Sequence, residues 1–178
     1  MLSVLRALSL LCLAASLLAH APAMAEPKEP TEEESADVTF AKSFLGKTYD
    51  DELDIEGWID LGGGLVSPPI YVREYQREED GTYLVLTSRQ VAKATATSPA
   101  SYVVADALIV PKPQKDAQFS IACVMAGDDA TMKFLGEAKG SETKEWWTDV
   151  RKAWEISLET GQIASIKPKG IRCTNPAW

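Results

Sequence analysis

The chain has 178 residues, with 18 Lys and Arg against 26 Asp and Glu, one histidine, three cysteines and a net charge of −8. That length is enough for one domain with a real hydrophobic core. An acidic balance with no basic patch in the sequence argues against nucleic acid and anionic membrane surfaces as partners, because both are held through lysine and arginine.

Residues 1–25 have the layout of a secretory signal peptide. Arg6 is their only charge, residues 7–19 are apolar, and Ala23-Met24-Ala25 offers a small-residue cleavage site after Ala25. The apolar run is 13 residues, short of the roughly 20 that cross a bilayer. No later stretch is long and apolar enough, so no stable membrane insertion is expected. Cys12 lacks the small residue before it that a lipid anchor would need. Cleavage would leave 17 basic against 26 acidic residues, a net charge of −9, with no histidine and only Cys123 and Cys173. Residues 26–60 carry 12 acids against Lys28, Lys42 and Lys47, so the acidity is concentrated at the start of the mature chain.

Residues 26–30 form a polar linker with two prolines. Thr31 and Glu34 fit a capping box, predicting a helix with Val38, Ala41 and Leu45 on one face and Gly46 at its left-handed end. Residues 53–61 alternate apolar and acidic side chains, as a half-buried strand does. Gly62-Gly63-Gly64 and Pro68-Pro69 interrupt the chain, the glycines marking a bend or bulge. Residues 70–76 and 82–87 flank Asp80-Gly81, a hairpin signal. The apolar run at 102–110 predicts a central strand. Phe119, Ile121, Cys123 and Met125 predict another, with residues 132–135 pairing back to it. Ser141 then predicts a second helix, with Trp146, Trp147, Val150, Ala153 and Trp154 as its apolar stripe. A last hairpin turns at Thr160-Gly161, before Ile171, Cys173 and Trp178. These elements predict one α+β domain over residues 31–178, mostly antiparallel sheet built from hairpins, with one or two short helices packed on it. A β-rich roll or open barrel is the alternative.

Two cysteines in an exported chain of this size predict a Cys123–Cys173 disulfide, stapling the last strand to a core strand. A redox pair would have the close Cys-x-x-Cys spacing, which is absent.

The missing histidine excludes Ser-His-Asp and Cys-His catalysis and the usual catalytic zinc sites from the mature chain. Ser141 and Lys144 have the spacing of a Ser-x-x-Lys pair, but a helix cap accounts for Ser141. Gly46-Lys47-Thr48 lacks the preceding strand and first glycine of a phosphate loop. Asp50, Asp51 and Glu52 are weak candidates for a divalent cation, since the calcium-loop positions further on are Ile55 and Leu61. No cofactor is expected. Trp146 and Trp147 are adjacent, so one of them should be partly exposed, which makes the pair the candidate contact residues.

The sequence therefore predicts a small, acidic, disulfide-stapled binding or accessory protein, periplasmic or secreted, whose partner is another protein or a cell-envelope component. The alternative is a small carboxylate-dependent hydrolase acting on envelope or glycan substrates, which needs two acids in one concave site.

Overall fold

The structure, a computed structural model, describes residues 32–50, 52–128 and 131–175. The predicted signal peptide with its Ala25 cleavage site, the linker, Thr31, Asp51 and Trp178 lie outside the described residues. The helix α1 spans Glu32–Lys42 and is followed by β1 (Thr48–Tyr49), β2 (Trp58–Ser67), β3 (Ile70–Arg77), β4 (Tyr83–Ala92) and β5 (Ser101–Val110). These five strands form a first sheet in the order β1-β5-β4-β3-β2. The second sheet holds β6 (Ala117–Met125), β7 (Phe134–Lys139), β8 (Trp146–Trp147), β9 (Val150–Ile156), β10 (Ile163–Ile166) and β11 (Ile171–Thr174). Its order is β10-β9-β7-β6-β11-β8, and every pairing in both sheets is antiparallel. Two open antiparallel sheets and one short helix fit the α+β expectation broadly, with less helix than predicted.

Period two explains the layering. On β4, Leu84 and Leu86 point to one face, and Val85 and Thr87 to the other. Both faces are buried over its first half, which is why β4 opens on the apolar run Tyr83 to Leu86. One face packs Tyr75, Leu84, Leu86 and Val104 against Ala41 and Phe44 of the helix segment. The other packs Ile70, Val72, Val85 and Val110 against Phe119, Leu135 and Ile156 of the second sheet. The far side of the second sheet holds a third core of Phe134, Trp147, Ala153, Ile171 and the cystine. Here the sheet bends until β11 also touches β7 and β9.

The helix is present but its predicted face is not. Val38 and Leu45 are 46% and 44% exposed, whereas Ala41 and Phe44 are buried. Leu45 falls beyond the last helical residue, Lys42. Aromatic packing orients the helix instead, with Phe40 stacked on Trp58 at 5.6 Å between ring centres. Gly46 takes φ 76° in the turn that follows, as the C-terminal glycine signal predicted.

The predicted second helix is two strands, β8 and β9. A register shift between Glu137 and Ala138 on β7 leaves Arg151 unpaired as an extra residue on β9. That bulge changes the phase of the alternation, so Val150 and Ala153 join the outer core while Trp154 joins the sheet-to-sheet core. A spacing of three or four residues therefore imitated a helix. The Ser141 carbonyl accepts hydrogens from Trp147 Nε1 at 3.1 Å and Asn175 Nδ2 at 2.9 Å, tying down the loop of residues 141–145 that leads into β8.

The predicted strand at 53–61 also moves. The first ladder residue is Trp58. Upstream of it the chain keeps the alternation without strand pairing, with Ile55 buried and Glu52, Asp54 and Glu56 exposed. The three glycines do not end β2. Gly62, at φ 98°, supplies a bulge and the strand runs on to Ser67. Pro68-Pro69, joined by a cis bond, form the turn into β3. The run predicted as central is β5, which lies next to last in its sheet beside the two-residue β1.

The β9–β10 turn binds the two sheets together. Thr87 Oγ1 donates to the Gly161 carbonyl at 2.6 Å, and the Ile163 amide donates to Asp106 Oδ2 at 2.7 Å. Gly161 has φ 80°, and a Cβ there would lie 2.8 Å from the Ala105 Cβ. Gly161→Ala combines backbone strain with overpacking, so it is expected to lower stability by about 1–3 kcal/mol. Urea unfolding measures this, and an unchanged midpoint would show that the turn yields without cost.

Candidate binding cleft

The helix segment packs on Tyr75, Leu84, Leu86 and Val104 of the first sheet. An open cleft of about 200 Å³ is lined by Tyr49, Gly63, Gly64, Tyr71, Arg73 and Tyr102, with Val72 behind them. Register assembles it. Tyr49 on β1 sits directly opposite Tyr102 on β5, and Tyr71 on β3 lies opposite Ser88 on β4. The Tyr49 and Tyr102 rings stack at 5.5 Å, and Tyr71 meets Tyr102 edge-on at 5.0 Å. The Tyr49 hydroxyl donates to Ser88 Oγ at 3.0 Å. Arg73 Nε lies 2.7 Å from Asp60 Oδ2, so the one cation lining the cleft is already matched by a carboxylate. A Cβ on Gly63 would lie 2.1 Å from the Val72 carbonyl oxygen. Only glycine fits there, and the cleft keeps a bare floor at its β2 side.

Burial pushes the Tyr49 phenol above its ordinary value, partly offset by the bond to Ser88. Burial does the same to Tyr75, with the Asp60 carboxylate adding to it. Both phenols stay protonated at physiological pH. The Tyr75 hydroxyl is buried and has no hydrogen-bond partner among the described residues. The cleft thus presents aromatic faces and phenol groups with little net charge, a surface suited to stacking on a flat or apolar group.

The residues singled out in the sequence fall elsewhere. Cys123 and Cys173 are bonded, fully buried and directly opposite one another on β6 and β11. Trp147 is 3% exposed, and Trp146 is half-buried with the Arg172 guanidinium 4.1 Å from its ring centre. The two tryptophans line a separate hollow with Lys139 and Lys144. Asp50 accepts a hydrogen bond from the Ser101 hydroxyl, and Glu52 is exposed. Among the described residues, no group of three or more His, Cys, Asp or Glu is placed to hold a metal ion. No helix among them is long and apolar enough to cross a membrane.

Glu74 is the carboxyl that departs most from its ordinary value, raised to about 7 by burial alone. It faces the second sheet from β3, between Gly62 on β2 and Val85 on β4. No hydrogen bond or ion pair holds it among the described residues. No second carboxylate contributes to its shift.

Sequence reasoning did not find the tyrosine cleft. One signal was present, the alternation Tyr71, Arg73, Tyr75, Arg77, which sets aromatic and basic groups along one face of a single strand. The other two tyrosines join it only through strand register. Models of known protein families, curated proteins and solved structures provide no match to this chain.

Proposed function

We propose that the protein is exported and works outside the cytoplasm, in the periplasm or the medium, as a binding or accessory protein. Its tyrosine cleft holds part of another protein or a cell-envelope component. The observation that carries this reading is the set of three tyrosines around a glycine floor. Binding surfaces favour tyrosine because it offers a large, rigid face and a polar tip at small entropic cost. A fully buried cystine fits an oxidising compartment and supports the export half of the proposal.

The test is capture from native envelope extract on immobilised wild-type protein and on a Tyr71→Ala/Tyr102→Ala variant shown by circular dichroism to be folded. A stoichiometric partner retained by the wild type and lost by the variant is the expected result. Equal retention by both would remove the cleft from the account. Recovery of nothing would favour the hydrolase reading, for which the raised Glu74 is the one supporting observation.

A further inference from the structure

We propose that the free edge of β2 accepts an extended, basic segment of a partner protein as an added strand, with an aromatic side chain of that segment lying over the glycines in the tyrosine cleft. The inference rests on the binding reading above and names its ligand.

Three observations carry it. The first is an edge that bulges guard at two points and leave open between them. Among the described residues β2 pairs only with β3, leaving the outward amides and carbonyls of a 10-residue strand without a ladder. Natural sheet edges are protected by charges, by prolines or by bulges. The only charge in β2 is Asp60, whose Oδ2 is turned onto Arg73 and whose Oδ1 accepts the Gly62 amide at 2.7 Å. Register shifts at Asp60/Gly62 and Leu65/Ser67 leave Gly62, Gly63, Gly64 and Leu65 in regular pairing between them, and this run is the docking segment. Leu65 within it and Leu61 just before it are 52% and 49% exposed.

The second observation is continuity between edge and cleft. Gly63 and Gly64 belong to the edge strand and also line the cleft. Leu65 stands opposite Tyr71, so the open approach to that ring runs over Gly63 and Gly64. An added strand lies two strand spacings, about 9–10 Å, from β3, so its aromatic side chain leans across the glycines to meet the Tyr71 ring. Glycines in a strand often mark such an approach by another backbone. In strand addition the main chain supplies affinity and the pocket supplies selectivity.

The third observation is charge. Glu56, Glu78 and Glu79 surround the start of β2 together with Arg77, which Asp37 and Asp80 already pair, and Glu52 and Asp54 are exposed on the segment leading into it. A basic segment complements them. A second copy of this chain would bring the same acids and another −8 of net charge.

The probe is a capped decapeptide alternating lysine and valine with one central tyrosine. Its controls are a twin with glutamate for lysine and a form N-methylated along one edge. Calorimetry and amide NMR on the purified protein give the readout. The parent peptide is expected to bind, shifting the amides of Gly63 to Leu65 and protecting those that face outward from exchange. Both controls should bind about tenfold more weakly or worse. Leu61→Lys/Leu65→Lys, at two exposed positions that leave the core untouched, should weaken the parent peptide about tenfold with the melting temperature unchanged. Absence of binding, or shifts confined to other strands, would overturn the proposal. Equal binding of the N-methylated form would overturn strand addition, and equal binding of the glutamate twin would overturn the basic partner. If any of these occurs while the tyrosine variant still loses its captured partner, the cleft reading stands and only this deeper inference falls.

Discussion

Replacing both halves of the cystine, Cys123→Ala with Cys173→Ala, should lower the unfolding free energy by about 4 kcal/mol, a large share of the roughly 5–15 kcal/mol that holds a domain together. The cross-link closes a chain segment with a sequence separation of 50. Removing the constraint returns conformational freedom to the unfolded chain. The bond joins β6 to β11, and β11 otherwise holds by a ladder of three residues to β6 and two to β8. Its sulfurs also fill space in the outer core. A Cβ on Gly136 would lie 2.6 Å from Cys173 Sγ and 3.1 Å from Cys123 Sγ, so strand β7 is shaped around the cystine. Urea unfolding of the variant against the oxidised parent gives the value. A loss below about 1 kcal/mol would mean that the cross-link constrains little.

Glu74→Gln should stabilise the protein at alkaline pH and leave it unchanged at acid pH. The folded-state value of about 7 lies above the ordinary 4.5 because burial disfavours the ionised carboxylate. The folded protein therefore holds this proton more tightly than the unfolded chain. Between these two values the unfolded state binds fewer protons, so stability falls as pH rises from about 4.5 to about 7 and levels off above. A rise from 4.5 to about 7 corresponds to up to about 3 kcal/mol. Glutamine keeps the shape and cannot ionise. The difference between the two proteins, followed by urea unfolding at pH 4 and at pH 8.5, isolates this one group from the other carboxylates. Parallel curves at both pH values would show that Glu74 is solvated. The nearest titratable group coupled to it is Tyr83 on β4, whose phenol is pushed up by its own burial and then by Glu74.

Turns were the most legible feature of the sequence. Asp80-Gly81 and Thr160-Gly161 mark hairpins because glycine alone reaches φ 77° and 80° without strain. The Asp80 side chain confirms the first turn by accepting the Thr82 amide at 2.8 Å. The cystine was legible from cysteine count and expected compartment. Burial between residues 52 and 56 was also legible. Strand pairing there was not, because alternation reports which side chains are inside and not which backbone they bond. At residues 146–154 one unpaired Arg151 made a strand imitate a helix. The division into two sheets, and with it the cleft, was hidden for a different reason. Tyr49, Tyr71 and Tyr102 are far apart in the chain and share a site only through pairings that no local pattern encodes.

Strand order also sets a timetable for maturation. The first sheet draws all its strands from residues 48–110, whereas β11, from Ile171–Thr174, is inserted between β6 and β8. In a chain delivered N-terminus first, the first sheet can assemble early. The second must wait with a vacant slot until its last strand arrives, and Cys123 stays an open thiol throughout that interval. In a chain already cleaved of the predicted signal peptide and its Cys12, a thiol oxidant acting too soon would meet only that one sulfur and divert it to an intermolecular bond.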